Sequence, residues 1–116
     1  MPNKIIVFHE FERNAKKLAK KYRSFQQDLH KLINELRADA LIGTSLGGNL
    51  RKVRLLVKSK GSGKSGGARI ITYILLLEKT VYLVTAYDKA DLSTIPIDQL
   101  KSLVEEIESE RKNQSE

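Results

Sequence analysis

The side chains in this sequence that could do chemistry are cations and phenols. There is no cysteine, and His9 and His30 are the only histidines, so thiol nucleophiles, zinc ribbons and a paired-histidine acid–base mechanism fall outside its reach. His9 ends an apolar stretch and His30 sits in a helical pattern, places that suit packing or surface roles. No spaced cluster of His and carboxylate is present to hold a metal. The sequence instead offers a window, residues 40–77, without a single Asp or Glu, in which Arg51, Lys52, Arg54, Lys58, Lys60, Lys64 and Arg69 supply seven positive charges. The remainder carries fourteen charges of each sign, so the whole net charge of +7 belongs to the middle third. Scattered lysines are ordinarily a solvated surface. A block this one-sided, in a chain whose charges are otherwise interleaved, points to a polyanionic partner, foremost RNA.

Lysine, arginine and tyrosine suit one reaction on RNA: attack of a ribose 2′-OH on its own phosphate, which cuts the strand without a metal. The reaction needs a base, an acid for the leaving 5′-oxygen, and positive charge around the crowded phosphorane. Arginine, with a pKa above about 12, cannot be the base but can hold oxygens in pairs. A lysine can deprotonate once neighbouring cations and partial burial pull its pKa down from about 10.4. The same residues could do no more than contact phosphates, and residue types alone do not choose between the two.

These residues must be positioned by elements legible in the apolar pattern. Residues 4–8 are β-branched and read as a first strand. Phe11, Ala15, Leu18, Ala19 and Tyr22 then fall on one helical face, followed by a second helix with Phe25, Leu29, Leu32, Ile33 and Leu36 on its apolar side. The order Ser24-Phe25-Gln26-Gln27 has the form of a capping box for that helix, with Asp28 in its first turn. Gly47-Gly48-Asn49 makes a turn into a strand at residues 50–57. A glycine-, serine- and lysine-rich loop at 58–67 precedes strands at 68–77 and 81–87, joined through a tight Glu78-Lys79 connection. Pro96 opens a last amphipathic helix bearing Ile97, Leu100, Leu103, Val104 and Ile107. The fold class is therefore α+β: an N-terminal strand, a two-helix hairpin, a three-strand antiparallel meander and a C-terminal helix.

At 116 residues and 41% hydrophobic content the chain can bury one core. Residues 1–110 read as a single domain and 111–116 as a polar tail that frays. The apolar runs at 5–8 and 74–77 are too short for a leader peptide or a membrane span, so a cytoplasmic location without membrane contact is expected. The absence of cysteine agrees with a reducing compartment. Gly61-Ser62-Gly63-Lys64-Ser65 invites a nucleotide-binding reading, but the glycine required five residues before Gly63 is Lys58, and the residues that follow form a strand where a phosphate-facing helix should start.

Three runs together carry a resemblance: Leu50-Arg51-Lys52-Val53-Arg54; Gly63-Lys64-Ser65-Gly66-Gly67-Ala68-Arg69-Ile70; and Tyr82-Leu83-Val84-Thr85-Ala86-Tyr87-Asp88-Lys89 with Asp91-Leu92-Ser93. With Phe11-Glu12-Arg13, Lys20-Lys21-Tyr22 and Ser24 upstream, nearly the whole chain resembles the RelE/HigB superfamily of type II toxin-antitoxin toxins, most closely its HigB-like branch. The resemblance implies a ribosome-dependent endoribonuclease that cuts messenger RNA, needs no cofactor, and is neutralised by a cognate antitoxin. It casts Arg54 and Arg69 as phosphate and transition-state binders, Lys64 or Lys89 as the proton-transfer group, and Tyr87 as a stacking platform for a base. Arg51, Lys52, Lys58 and Lys60 would supply further RNA contacts. The superfamily also holds ParE-like members that act on DNA gyrase, so gyrase inhibition or non-catalytic nucleic-acid binding is the alternative.

Overall fold

The structure, a computed structural model, describes residues 2–60 and 67–115. Its elements in chain order are β1 (Lys4–Val7), α1 (His9–Lys21), α2 (Phe25–Ala38), β2 (Thr44–Gly47), β3 (Leu50–Leu55), β4 (Ala68–Leu75), β5 (Thr80–Asp88) and α3 (Ile97–Ser115). The strands form one sheet in the order β1-β5-β4-β3-β2, with β1 parallel to β5 and every other pair antiparallel. The expected α+β order is present. Among the described residues no helix is long and apolar enough to cross a membrane.

Helices cover both faces of the sheet because its strands are apolar on both sides. Val53, Leu55, Ala68, Ile70, Leu83 and Ala86 pack with Phe11 and Leu18 of α1 and with Phe25, Leu32 and Leu36 of α2. On the opposite face Leu50, Ile71, Tyr73, Tyr82, Val84 and Tyr87 meet Leu100, Leu103 and Ile107 of α3. The two layers account for β4 and β5 being buried almost throughout, as a sheet covered on both sides requires.

The helix α3 is also tied down by polar groups. The Tyr73 hydroxyl donates to Glu108 Oε2 at 2.7 Å. Burial, reinforced by that carboxylate, pushes the Tyr73 pKa up to about 12. Arg111 pairs with Glu108 at 2.6 Å and with Glu78 of the β4–β5 connection. These ties lie where the sequence suggests fraying from residue 111; the helix instead runs on to Ser115.

Three local details differ from the sequence reading. Ser24 adopts helical backbone angles and makes no side-chain cap, so no capping box forms. Its hydroxyl donates to Asp28 Oδ2 at 2.7 Å and accepts from the Ser59 N–H at 2.8 Å, bonds that tie α2 to the segment after β3. The four-residue strand β2 pairs with the start of β3 across the Gly48-Asn49 turn. Finally, β5 contains a bulge. Ile71 faces Thr85 while Thr72 faces Leu83, which leaves Val84 as an extra residue. An inserted residue reverses the in–out alternation of a strand. Leu83 and Ala86 thus both face α1 and α2, and Tyr87 points to the α3 side with Val84.

Candidate nucleic-acid interface

The bulge matters because it completes a row. Arg54 lies directly opposite Arg69, and Arg69 directly opposite Tyr87, so three residues from β3, β4 and β5 stand side by side on the α3 face of the sheet. The Ile74 N–H donates to the Asn49 carbonyl at 2.9 Å, which makes 49–74 a hydrogen-bonded pair and, by alternation, 54–69 a non-hydrogen-bonded one. In that arrangement side chains on one face approach most closely, with Cα atoms about 4.5 Å apart. Like charges placed directly opposite destabilise a sheet unless something neutralises them.

Among the described residues nothing does. Arg54 is exposed and pairs with no carboxylate. Arg69 is 4% exposed, and its one hydrogen bond runs from Nη1 to the neighbouring Ala68 carbonyl at 3.3 Å. A guanidinium this deep ordinarily has an anionic partner. Beside it the Tyr87 hydroxyl is buried without a hydrogen-bond partner. Burial pushes the Tyr87 pKa up and the Arg69 charge opposes that rise, so the phenol is protonated near neutral pH and has a proton to donate. Two cations and an unpaired donor thus occupy adjacent positions across three strands. Tyr87 packs into the core beneath α3 and is 9% exposed, which removes the open ring face that a stacking platform needs.

The other candidates divide. Lys89 follows the end of β5, half-buried, its N–H bonded to the Gly67 carbonyl at 3.2 Å. Lys64 lies outside the described residues. Lys52 shares the face of Arg54, opposite Ile71, and Lys58 is exposed just past β3; both keep their ammonium groups available. Arg51 points to the other face and donates to the carbonyls of Ile42 and Gly43 at 3.4 and 2.7 Å, clipping the chain that enters β2. Lys60 is committed as well: its ammonium meets Asp88 Oδ1 at 2.7 Å and the Gly67 carbonyl at 3.3 Å. His9 opens α1, 3.5 Å from Glu106, and His30 is exposed on α2; neither belongs to the row.

Asp88 is the residue that sequence reasoning passed over. Its side chain is 2% exposed and points away from Tyr87, toward the α1 side. It accepts from Lys60, from the Tyr22 hydroxyl at 2.5 Å, from Lys21 at 3.1 Å and from the Ala90 N–H at 2.9 Å. Burial alone would raise the Asp88 pKa; Lys60, Tyr22, Ala90 and Lys21 outweigh it and hold the carboxyl well below the usual range. In return the bond to Asp88 lifts the Lys21 ammonium above its ordinary value. This cluster fixes the end of β5, and with it Tyr87, against α1. Because Lys60 also reaches Gly67, it holds together the two residues that flank 61–66.

Gly67 explains part of the glycine signature. Its φ is +99°, and a Cβ there would lie 2.3 Å from the Leu55 carbonyl oxygen. The substitution Gly67→Ala is expected to cost about 2–4 kcal/mol, from left-handed backbone strain and a collision with main chain that cannot move aside. A lowered urea midpoint with an unchanged slope would register it.

The family described as the RelE toxin of the RelE/RelB toxin-antitoxin system matches residues 4–115. Among solved structures, a double arginine-to-alanine mutant of the E. coli toxin RelE in the free state is similar, with a TM-score of 0.51 and 16% identity over 77% of this chain and 85% of that one. That likeness is one of fold. The family match spans nearly the whole sequence, including every strand of the arginine–tyrosine row, and the chain belongs to the RelE family of toxin-antitoxin toxins.

Proposed function

We propose that this toxin inhibits translation by cleaving messenger RNA on the ribosome, as a member of the HigB-like branch, through metal-independent attack of a 2′-OH on the adjacent phosphate. The observation that carries the reading is the buried Arg69 guanidinium without a carboxylate, aligned with Arg54 and with the unpaired Tyr87 hydroxyl. A scissile phosphate placed on the row would receive paired donors from the two arginines, which strengthen as charge builds on the phosphorane. The Tyr87 phenol would donate to a phosphate oxygen or to the leaving 5′-oxygen. Lys89 or Lys64 would take the proton from the 2′-OH. Lys52 and Lys58 would track the flanking phosphates.

The test is cleavage of a defined messenger RNA by the purified protein, with and without programmed ribosomes and with EDTA present. Cleavage is expected only on ribosomes, is expected to survive chelation, and in Tyr87→Phe should fall about 10²-fold or more. The same variant should fold as stably as the parent, because the hydroxyl it removes has no partner to lose. Absence of cleavage under every condition would move the reading to gyrase inhibition or to plain nucleic-acid binding.

A further inference from the structure

The bulge in β5 needs a partner that no strand supplies. β1 ends at Val7, opposite Leu83, and the last backbone bond on that side runs from the Phe8 N–H to the Leu83 carbonyl at 3.0 Å. There the chain turns into α1, while β5 continues to Asp88. The bond from Ile74 to Asn49 shows that even-numbered residues of β4 turn their backbone groups toward β3, so Arg69 and Ile71 turn theirs toward β5. Their partners Tyr87 and Thr85 bond back to β4, and Ala86 between them turns its N–H outward, toward α1. The interior of a helix has no free carbonyl to offer, since its backbone groups bond to one another. Asn14 of α1 provides an acceptor from its side chain: Oδ1 accepts from the Ala86 N–H at 3.0 Å and from the Thr85 hydroxyl at 2.8 Å. A backbone N–H can only donate, so it is the amide oxygen of Asn14 that must face it. Thr85 and Ala86 are both buried, and a buried donor left unpaired is costly.

We propose that Asn14 is a positioning residue for the reaction, one that holds the β5 bulge and through it keeps the Tyr87 hydroxyl in the arginine row; this role rests on the nuclease reading above. Leu83, Val84, Ala86 and Tyr87 are apolar at both parities, so hydrophobic patterning alone does not choose the register of this strand. Without the extra residue, Val84 would face Ile71, and Ala86 would face Arg69 with its N–H turned to β4. Tyr87 would then face Ala68 on the α1 side of the sheet, away from both arginines. With it, the Ala86 N–H and the Thr85 hydroxyl reach one oxygen, and Tyr87 stands opposite Arg69. The bond from Ala86 to Asn14 is thus made only in the register that puts the phenol on the α3 face. Asp88, gripped by Lys60, Tyr22 and Lys21, holds the strand end on the far side of Tyr87. Loss of the Asn14 acceptor therefore loosens the bulge and shifts Tyr87 within the row, while the end of β5 stays anchored.

The test uses the full chain and compares Asn14→Leu, which keeps the bulk of the side chain and removes the acceptor, with Asn14→Asp, which keeps an oxygen for both donors. In cleavage on programmed ribosomes Asn14→Leu is expected to lower kcat about tenfold or more, because a small misplacement of a reacting group is that costly. KM should stay unchanged, since Arg54 and Arg69 remain in place on β3 and β4. Asn14→Asp should retain the parent kcat. In a Tyr87→Phe background, where no hydroxyl is left to position, Asn14→Leu should cost nothing further. Amide exchange at Ala86 reads the bond without RNA: slow in the parent and in Asn14→Asp, fast in Asn14→Leu. Should the leucine prevent folding, Asn14→Ala, which leaves room for a water beside the N–H, is measured in its place with the same results expected. Full kcat without the acceptor, an equal loss in Asn14→Asp, a loss confined to KM, additivity with Tyr87→Phe, or an unprotected Ala86 amide in the parent would each overturn the proposal. A protein whose Ala86 amide responds as expected yet cleaves no RNA would sink the nuclease reading, and the reaction role of Asn14 with it, while leaving the bulge contact standing.

Discussion

Replacing Arg69 with methionine is expected to lower RNA cleavage by about 10²–10³-fold while leaving the folded state at least as stable as before. The two effects have one source. Arg69 is buried with a carbonyl as its sole hydrogen-bond partner and with the charge of Arg54 directly across the strand pair, so in the absence of RNA its burial costs free energy that folding must absorb. Methionine keeps the stem and its packing and removes the charge. In the proposed reaction the charge built up on a phosphorane would be met by this donor fixed in advance, and deleting one such donor typically costs about 2.7–4 kcal/mol of transition-state stabilisation. Single-turnover cleavage on programmed ribosomes, beside a thermal melt, reads both. A variant that keeps full activity would show that the row does not bind the reacting phosphate.

The second large effect concerns stability. Asp88→Asn is expected to destabilise the fold by about 3 kcal/mol or more, since breaking a buried ion pair leaves its cation uncompensated, and Lys60, at 12% side-chain exposure, cannot reach water fully. The effect has a pH signature. The folded carboxyl is held below its unfolded value, so its contribution is complete above the ordinary Asp range near about 3.9 and is lost as the pH falls from there toward the depressed folded value. The stability gap between parent and variant should be constant from neutral pH down to about 5 and then narrow in acid. Urea titrations at several pH values measure it. A gap that widens in acid would mean that the cluster does not stabilise the ionised form.

Much of this architecture was legible because the chain obeys two periodicities with little interference. The helical faces led by Phe11 and Phe25 and the β-branched runs that became β4 and β5 follow directly from them. The four residues of β2 were not legible, since Thr44-Ser45-Leu46-Gly47 has no apolar alternation and pairs only because Asn49, in a left-handed conformation, returns the chain along β3. Ser24 carried the right letters for a cap, but its hydroxyl had a stronger use on Asp28 and Ser59. Lysines 58 and 60 are indistinguishable by type; a single bond to Asp88 separates a free surface cation from a structural one. Asp88 itself looked like one more charge in a turn, because nothing local announces that Tyr22, Lys21 and Lys60, distant in sequence, will converge on it. Tyr87 was placed correctly at the end of β5, yet its burial depends on α3 and on the parity change at Val84, neither of which a local pattern encodes.

The parallel pairing of β1 with β5 also sets a timetable. β1 is the first strand to be synthesised and β5 the last, so the sheet cannot close until Thr80–Asp88 has cleared the exit tunnel, and closure must bring together segments more than 70 residues apart. Tyr87 lies almost at the end of that last strand. A ribosome making this toxin therefore carries on it a chain whose arginine–tyrosine row stays incomplete until β5 has emerged.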